Sequence, residues 1–485
     1  MYTITRKTNT LSVSPEPPGL HGAIGYMHEN YQAEGPEWKS LGATLDNTFV
    51  TLPGLFERVS NWMLERKIDF EIIDKRKKPE LNLELIDHES QRQAGKILIE
   101  GLERNENGII VGPCGVGKTH VIKAILESIP QGKILITTDD IGAATQLYDD
   151  LTGLLPSRKF SIWCSRKKTK PTNIMITTSD SIKAIANNKV FVEAKLSLAD
   201  YDTWIADEVH TLPTPTVLPL LTKIKAKTRI GLTATPIRKD GAHALIEGYF
   251  GPIIANVSHE EGVQLGNVSS VNVCIFPVPF IESECRRLPS DCTDWRVTAF
   301  GLVHYRPLHF LIKSIHKLIP KDGGHIIFAD WAKYCDILKK QIPGSESLYT
   351  RKGPAEVNRI KAGVKSGKIS CVITTDLIQK SFNAPSVKYV TMAALGSTAE
   401  KIQRAGRATR ILENKTSAQV HDFLYLHHPI LFLASIKIIK EYENLGWNPK
   451  IMMKSSDLVS SIEENKQQLG EYANKLLELE KYCHG

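Results

Sequence analysis

The sequence predicts an α/β fold: two domains with parallel sheets in tandem, a small N-terminal α+β accessory domain and a helical C-terminus. Three observations carry this. Short apolar runs alternate with helix-length segments from about residue 84 onward. A second series of such runs follows after residue 300. A glycine-rich string stands between the first run and a helical stretch. Runs that are apolar throughout, rather than alternating, mark strands covered on both faces, as parallel sheets are.

Residues 1–80 read as a separate small unit. Its start is loop-rich, with Pro15, Pro17, Pro18, Gly19, Gly22 and Gly25. Leu55, Phe56, Val59, Trp62 and Met63 then recur at helical spacing, and Ile68, Phe70 and Ile72 alternate with acidic residues as a strand does. Lys75-Arg76-Lys77-Lys78-Pro79 closes this unit as a solvated linker, or as a nucleic-acid contact or nuclear-import signal. Residues 84–245 form the first parallel-sheet domain, on the runs 108–111, 133–136, 174–176, 204–206 and 229–232. Residues 246–300 read as a connector. Residues 301–430 form the second domain, on runs at 325–328, 371–373 and 387–390, and residues 431–485 form the helical extension. In that extension Leu458, Ile462, Leu469, Tyr472, Leu476 and Leu479 mark the apolar stripe of an amphipathic helix that packs onto the body.

Composition excludes several classes. With 485 residues the chain has room for roughly three domains. Hydrophobic residues at 42% and charged residues at 24% exclude wholesale disorder. The longest apolar candidate, Ile430 to Ile439, is broken by Ser435 and Lys437, so no membrane span is expected. The start, MYTITRKTNT, lacks the apolar stretch of a secretory signal, and the eight cysteines include no C-x-x-C pair. The expected location is therefore intracellular, cytoplasmic if the chain is bacterial or phage-encoded. Lys+Arg 61 against Asp+Glu 53 gives +8, a balance that permits a polyanionic partner.

The chemistry sits in four strings. Gly112-Pro-Cys-Gly115-Val-Gly117-Lys118-Thr119 fits G-x-x-x-x-G-K-[ST] between a strand and a helix. Glycines there let backbone N–H groups wrap phosphates, and the helix N-terminus adds partial positive charge. Lys118 is expected at the β- and γ-phosphates of ATP, and Thr119 at Mg²⁺. Cys114 inside the loop reads as a small space-filler. Asp207-Glu208-Val209-His210 follows an apolar strand. There Asp207 suits the water shell of Mg²⁺ and Glu208 suits polarisation of an attacking water. Thr233-Ala234-Thr235-Pro236 ends the next strand, where hydroxyls can hydrogen-bond the Asp-Glu segment and sense nucleotide state. Gln403-Arg404-Ala405-Gly406-Arg407-Ala408-Thr409-Arg410 puts Arg407 and Arg410 on one face if helical, as arginine fingers for a triphosphate.

A basic stretch from Arg158 to Lys170 includes Arg166, Lys167 and Lys168, with Phe160 and Trp163 between and no acidic residue. It reads as a phosphate-tracking edge with Trp163 available to stack on a base, or as a solvated loop. Lys223, Lys225, Lys227 and Arg229 form a second basic cluster with the same two readings.

The ordered set GPCGVGKT, DEVH, GLTATPIRKDG and QRAGRATR resembles the superfamily 2 helicases. GLTATPIRKDG and Lys380-Ser-Phe-Asn383-Ala-Pro385 are similar to the XPB-like branch, and residues 51–74 look like the accessory domain of the UvsW type. The resemblance implies two RecA-like domains, ATP with Mg²⁺, and a DNA partner that is duplex, forked or branched. It also implies an ATP-dependent DNA helicase or translocase, with fork remodelling or branch migration and 3′→5′ polarity as the expected outcome. Replication or recombination proteins are possible partners; an RNA helicase, or an ATP-gated subunit of a transcription or restriction complex, are the alternatives. By the same resemblance Gln91 reads adenine and Gln403 joins the catalytic set. Thr137, Thr138, Thr177 and Thr178, with Thr374 and Thr375 in the second domain, hold the nucleic-acid backbone. One departure stands at Asn383, where the family usually carries Asp. Asn keeps an acceptor oxygen and loses the charge, which touches the ribose or interdomain contact and not the class.

Overall fold

The computed structural model describes residues 2–30, 35–76, 81–104, 107–165, 167–186, 197–212, 214, 217–236, 238, 240–286, 288, 295–320, 323–349, 351–375, 387–395, 398–406, 417–454, 457, 460, 479, 482 and 483. The chain divides into two compact units, residues 1–258 and 259–485.

The first unit contains three sheets. Strands β1 (Tyr2–Arg6), β2 (Leu11–Ser14), β5 (Gly42–Leu45), β6 (Thr48–Thr51) and β7 (Phe70–Asp74) form a mixed sheet in the order β5-β6-β2-β1-β7. Strands β3 (Gly25–Asn30) and β4 (Gly35–Ser40) form an antiparallel ribbon. Leu55, Val59 and Met63 of the helical stripe are fully buried beneath the mixed sheet, as their spacing predicts. β7 is an edge strand, and its Ile72 lies exposed despite the alternating pattern.

Residues 1–80 are not a separate body. Their core includes Ala244, from the helix His243–Phe250 of the neighbouring domain. Arg58 pairs with Glu247 at 3.3 Å. A Cβ on Gly54 would lie 2.0 Å from the Glu247 carbonyl oxygen, so only glycine permits this approach. Arg229, read from sequence as part of a basic surface cluster, is buried at the same junction. It donates to the carbonyls of Ala226, Ile224 and Tyr249 and to Asn9 Oδ1 at 2.6 Å.

The large sheet of this unit is parallel throughout. Its strands are β8 (Gly108–Val111), β9 (Ile134–Thr138), β10 (Phe160–Trp163), β11 (Ile174–Thr178), β12 (Thr203–Asp207), β13 (Thr228–Thr233) and β14 (Ile253–Asn256), ordered β10-β11-β9-β12-β13-β8-β14. Trp204 anchors one face. It packs on Phe250 with ring centroids 4.5 Å apart and donates from Nε1 to Thr137 Oγ1 at 3.0 Å.

The second unit is also built on a parallel sheet. Its strands are β15 (Ser270–Val278), β16 (Gly324–Ala329), β17 (Glu346–Leu348), β18 (Cys371–Thr374), β19 (Val387–Ala393), β20 (Ser417–Tyr425) and β21 (Lys450–Ile451), ordered β17-β18-β16-β19-β20-β15-β21. The stretch 246–300, expected to be a connector, is instead folded into both sheets: β14 completes the first and β15 lies inside the second. The helix Pro429–Asn444 packs on β20 as part of this domain, so the domain does not end at 430. The stripe from 458 to 476 lies outside the described residues. Leu479 and Tyr482 are buried in the core of the second sheet.

A polar row crosses that sheet. His325 on β16 lies beside Cys371 on β18, and Thr391 on β19 lies beside His421 on β20. His316 Nδ1 stands 3.0 Å from His325 Nδ1, His325 Nε2 stands 2.8 Å from Thr391 Oγ1, and that oxygen stands 3.1 Å from His421 Nδ1. Burial holds the pKa of His325 well below the usual histidine range and that of His421 at about 4, so both are neutral. Among the described residues, His316, His325 and Cys371 are close enough together to consider for a metal. However, the two imidazoles are within 14° of parallel, and their centroids stand 5.3 Å apart. That exceeds the Nδ1 separation by about two ring radii, so the nitrogens point at one another. This is an N–H···N hydrogen bond, not two ligands converging on a tetrahedral ion.

Candidate active site

The site lies where β8, β9, β12 and β13 end, at the carboxyl edge of the first parallel sheet. This is the edge on which open α/β sheets bind ligands. β8 delivers the chain into the glycine loop. Gly112 N donates to the Thr233 carbonyl at 2.9 Å, which ties the start of the loop to β13. A Cβ on Gly112 would meet Leu98 and Val116 at 3.0 Å. Gly115 (φ 90°) and Gly117 (φ 103°) hold the left-handed conformation. That conformation reverses the chain and starts the helix Lys118–Ser128 with its N–H groups facing the loop. Arg92 braces the loop from outside by donating to the Gly115 carbonyl at 3.1 Å.

Lys118 and Glu208 meet under this loop, with Nζ to Oε1 at 2.7 Å. Their side chains are 13% and 17% exposed, so the pair is largely screened from water. Burial alone would lower the lysine pKa. The negative charges of Glu208 and Asp207 outweigh it and raise the value above the ordinary lysine range. Asp207 ends β12, and burial together with the Glu208 charge pushes its carboxyl pKa up to about 7. Glu208 has φ 50° and ψ 48°, a left-handed conformation that a non-glycine residue holds only under constraint. Glu208 N donates to Asp207 Oδ1 at 3.1 Å, and Thr211 Oγ1 donates to the Glu208 carbonyl at 2.9 Å.

His210 links this segment to β13. Its Nδ1 lies 2.9 Å from Thr233 Oγ1 and 3.4 Å from Glu208 Oε2. The Thr233 hydroxyl accepts from Thr235 N at 3.0 Å. The hydroxyl string therefore meets the Asp-Glu segment through His210, whose part the sequence reading had not singled out. Arg238 extends the link, donating to the His210 carbonyl and to Asp240 Oδ1.

Gln91, expected at the base, is buried. Its Nε2 donates to the His120 carbonyl at 3.0 Å, one residue beyond Thr119, and its Oε1 has no hydrogen-bond partner. A buried carbonyl oxygen without a donor fits a ligand amino group. The paired oxygens of Asp207 and the Thr119 hydroxyl suit a hard divalent cation, and buried Lys118 suits a phosphate. The arrangement can therefore take a magnesium nucleoside triphosphate.

The residues expected at the nucleic-acid backbone divide. The Thr137 hydroxyl accepts from Trp204, and the Thr177 hydroxyl donates to the Trp163 carbonyl at 2.6 Å, so both are committed inside the domain. Thr138 and Thr178 stand at strand ends, where Thr138 Oγ1 donates to the Asp140 carbonyl and Thr178 Oγ1 donates to Ser181 Oγ at 2.8 Å. Thr374 is buried at the end of β18 with its hydroxyl unpartnered. Thr375 is half-buried, and its N–H donates to the Leu348 carbonyl at 3.3 Å. Trp163 is only 5% exposed and packs in the core, so it is not available to stack on a base. The basic stretch is partly β10 and partly a turn. Lys167 pairs with Asp149 at 3.1 Å, and Lys168 lies over the Trp163 ring.

Gln403 lies on the helix Thr398–Ala405. Buried Lys401 clamps that helix to Asp422 with both contacts at 2.9 Å, and buried Arg404 faces Asp330 at 3.9 Å. Arg407, Arg410, Arg166 and Asn383, like Lys77 to Pro79, lie outside the described residues.

A glycine phosphate loop with a buried Lys–Glu pair on one parallel sheet, followed by a second parallel-sheet unit, defines the class: a P-loop nucleoside triphosphatase with two RecA-like units. Comparison with known proteins agrees. Residues 84–238 match the model "Type III restriction enzyme, res subunit", and residues 309–412 match "Helicase conserved C-terminal domain". "Putative helicase 22" of Sulfolobus islandicus filamentous virus is 23% identical, over 82% of this chain and 74% of its own length. "DNA 3'-5' helicase XPB" of Kineococcus radiotolerans is 24% identical, over 68% of this chain and 60% of its own. The fragment structure of a putative HsdR subunit of a type I restriction enzyme from Vibrio vulnificus superposes with a TM-score of 0.58 at 16% identity. It covers 90% of this chain and 84% of that one, a likeness of fold. The chain thus carries the two domains these models describe and is similar to helicases of the XPB type. Against the XPB relatives it spans about half to three-fifths of their length. Among the described residues no helix is long and apolar enough to cross a membrane.

Proposed function

We propose that the chain is an ATP-driven DNA helicase or translocase that works on duplex, forked or branched DNA with 3′→5′ polarity. The observation that carries this is the buried Lys118–Glu208 pair at 2.7 Å beneath the glycine loop. Such a pair is a stored contact that a triphosphate can exchange. In this reading the phosphate oxygens take Lys118 from Glu208, and the released carboxylate turns to polarise the attacking water. Thr119 and Asp207 would hold Mg²⁺, which would supply charge neutralisation to the phosphates. The loop N–H groups cradle the phosphates and Gln91 Oε1 accepts from the adenine amino group. Arg407 and Arg410 supply positive charge to the transition state, and Gln403 orients the reacting groups. His210, held between Glu208 and Thr233, carries the release of Glu208 into the segment that ends at Asp240.

DNA rather than RNA is favoured by the relatives, whose names describe 3′–5′ DNA helicases and translocases. Thr138, Thr178 and Thr375, at strand ends, are proposed at the nucleic-acid backbone, whereas Thr137, Thr177 and Thr374 are buried behind them and take no part in this contact. Arg166, Lys167 and Lys168 add phosphate contacts. The test is the ATPase rate at fixed salt on single strands, duplex, fork, four-way junction and duplex RNA. Stimulation greatest on fork or junction is expected. Stimulation by duplex RNA alone would establish an RNA helicase, and turnover without any strand movement would establish an ATP-gated subunit.

A further inference from the structure

Base recognition depends on where Gln91 sits, which is set by its own bond to His120 and by the turn that precedes it. Gln91 begins the helix-bearing segment after an exposed turn, residues 87–90. Its side chain donates from Nε2 to the His120 carbonyl. A flipped amide would set oxygen against oxygen there, so the assigned orientation stands, and Oε1 is the atom left to a ligand. Gly95 keeps the space beside that oxygen open: a Cβ there would lie 3.2 Å from Oε1.

The turn itself is tied down from one side. Lys123, in the second turn of the phosphate-loop helix, is 6% exposed although it carries a charge. Its Nζ reaches Asp87 Oδ2 at 3.1 Å, Ser90 Oγ at 3.0 Å and Glu127 Oε1 at 2.7 Å. Ser90 closes the turn on Asp87, donating from N to Oδ1 at 3.2 Å and from Oγ to the carbonyl at 3.0 Å. Gln91 N then donates to the His88 carbonyl at 3.2 Å. Without Lys123, the Asp87 and Glu127 carboxylates would lose their shared cation, and the turn would keep only the weaker ties from Asp87 N to Glu127 Oε2 at 3.3 Å and from Gln91 Nε2 to the His120 carbonyl.

We propose that Lys123 is a positioning residue for base selection: it pins the 87–90 turn to the phosphate-loop helix and so sets the Gln91 acceptor where an amino-bearing purine is preferred over a 6-oxo purine. The inference rests on the reading of Gln91 as the base contact. An acceptor oxygen rewards the 6-amino group of adenine and repels the 6-oxo group of guanine, so the quantity to follow is the ATP-to-GTP ratio of kcat/KM. A merely structural lysine would leave that ratio unchanged while lowering stability.

The experiment measures the ratio for wild type, Gln91→Ala, Lys123→Met and Ser90→Ala in the full chain, with Ser90 serving as an exposed position that does not threaten folding. Lys123→Met is expected to lower the ratio about fivefold or more, mainly through KM for ATP. Ser90→Ala is expected to shift it in the same direction by less. In a Gln91→Ala background, Lys123→Met is expected to add nothing further. A collapsed ratio in Gln91→Ala, with wild-type ratios in both Lys123→Met and Ser90→Ala, overturns the positioning role and leaves base reading by Gln91 intact. An unchanged ratio in Gln91→Ala overturns the base reading itself and the inference with it.

Discussion

Replacing Glu208 by Gln tests the exchange mechanism most directly. In the ligand-free protein Glu208 occupies Lys118, with the two atoms 2.7 Å apart and both side chains under one-fifth exposed. A nucleotide must break that contact before the lysine can reach phosphate. A hydrogen bond between charged partners is worth about 1.5–3 kcal/mol, and a neutral one about 0.5–1.5 kcal/mol. Glutamine keeps the shape and loses the charge while Lys118 keeps its own, so at most about 1–1.5 kcal/mol less stands in the way of ATP. That converts to at most about five- to tenfold tighter ATP binding. The same change removes the carboxylate that activates water, so turnover should fall by about 10²–10⁴-fold. Calorimetric titration with ATP and a single-turnover hydrolysis assay read the two effects separately. Binding that is unchanged or weaker, or hydrolysis within about tenfold of wild type, would refute the exchange.

Other outcomes follow from the same geometry. Lys118→Ala should abolish both hydrolysis and unwinding, and a variant that still separates strands would remove the motor reading altogether. Asp207 has its pKa raised from 3.8 to about 7 in the folded state, so its stabilising contribution is complete below about pH 4 and is lost as pH rises through 7. Without nucleotide or magnesium, the protein should therefore lose stability between about pH 4 and 7 by up to about 1.4 kcal/mol per pH unit from this group, read as a falling melting temperature that levels off above pH 7, and Asp207→Asn should flatten that slope. Neutralising Arg166, Lys167 and Lys168 together should weaken DNA binding and reduce the salt slope by up to about 2.7; an unchanged slope in a binding titration excludes these residues from the interface. Asp422 accepts from Lys401, from Phe423 N and from Tyr442 Oη, all at 2.9 Å. Asp422→Ala should cost about 3–5 kcal/mol in denaturant unfolding, because Lys401 would remain as a buried unpaired charge.

The sequence by itself determined the parts whose cause is local. Glycines at 115 and 117 must supply left-handed backbone, and a lysine after them must face whatever the loop holds. The fully apolar runs 108–111 and 204–206 can only be strands covered on both sides, and the stripe Leu55, Val59, Met63 can only bury one helix face. Tertiary structure decided what depends on distant partners. Arg229 and Trp163 look like surface groups in a basic context, yet each is drawn inward by carbonyls or apolar neighbours that no spacing reveals. β14 (Ile253–Asn256) and β15 (Ser270–Val278) carry apolar and β-branched residues, but which sheet each joins, and at an edge or inside it, is set only by the fold. His210, Lys123 and Arg238 act through contacts 23 to 36 positions away. A one-dimensional pattern records which side chains can bond, whereas the choice among buried partners is made by packing, which leaves each buried polar group only the donors and acceptors the fold brings to it.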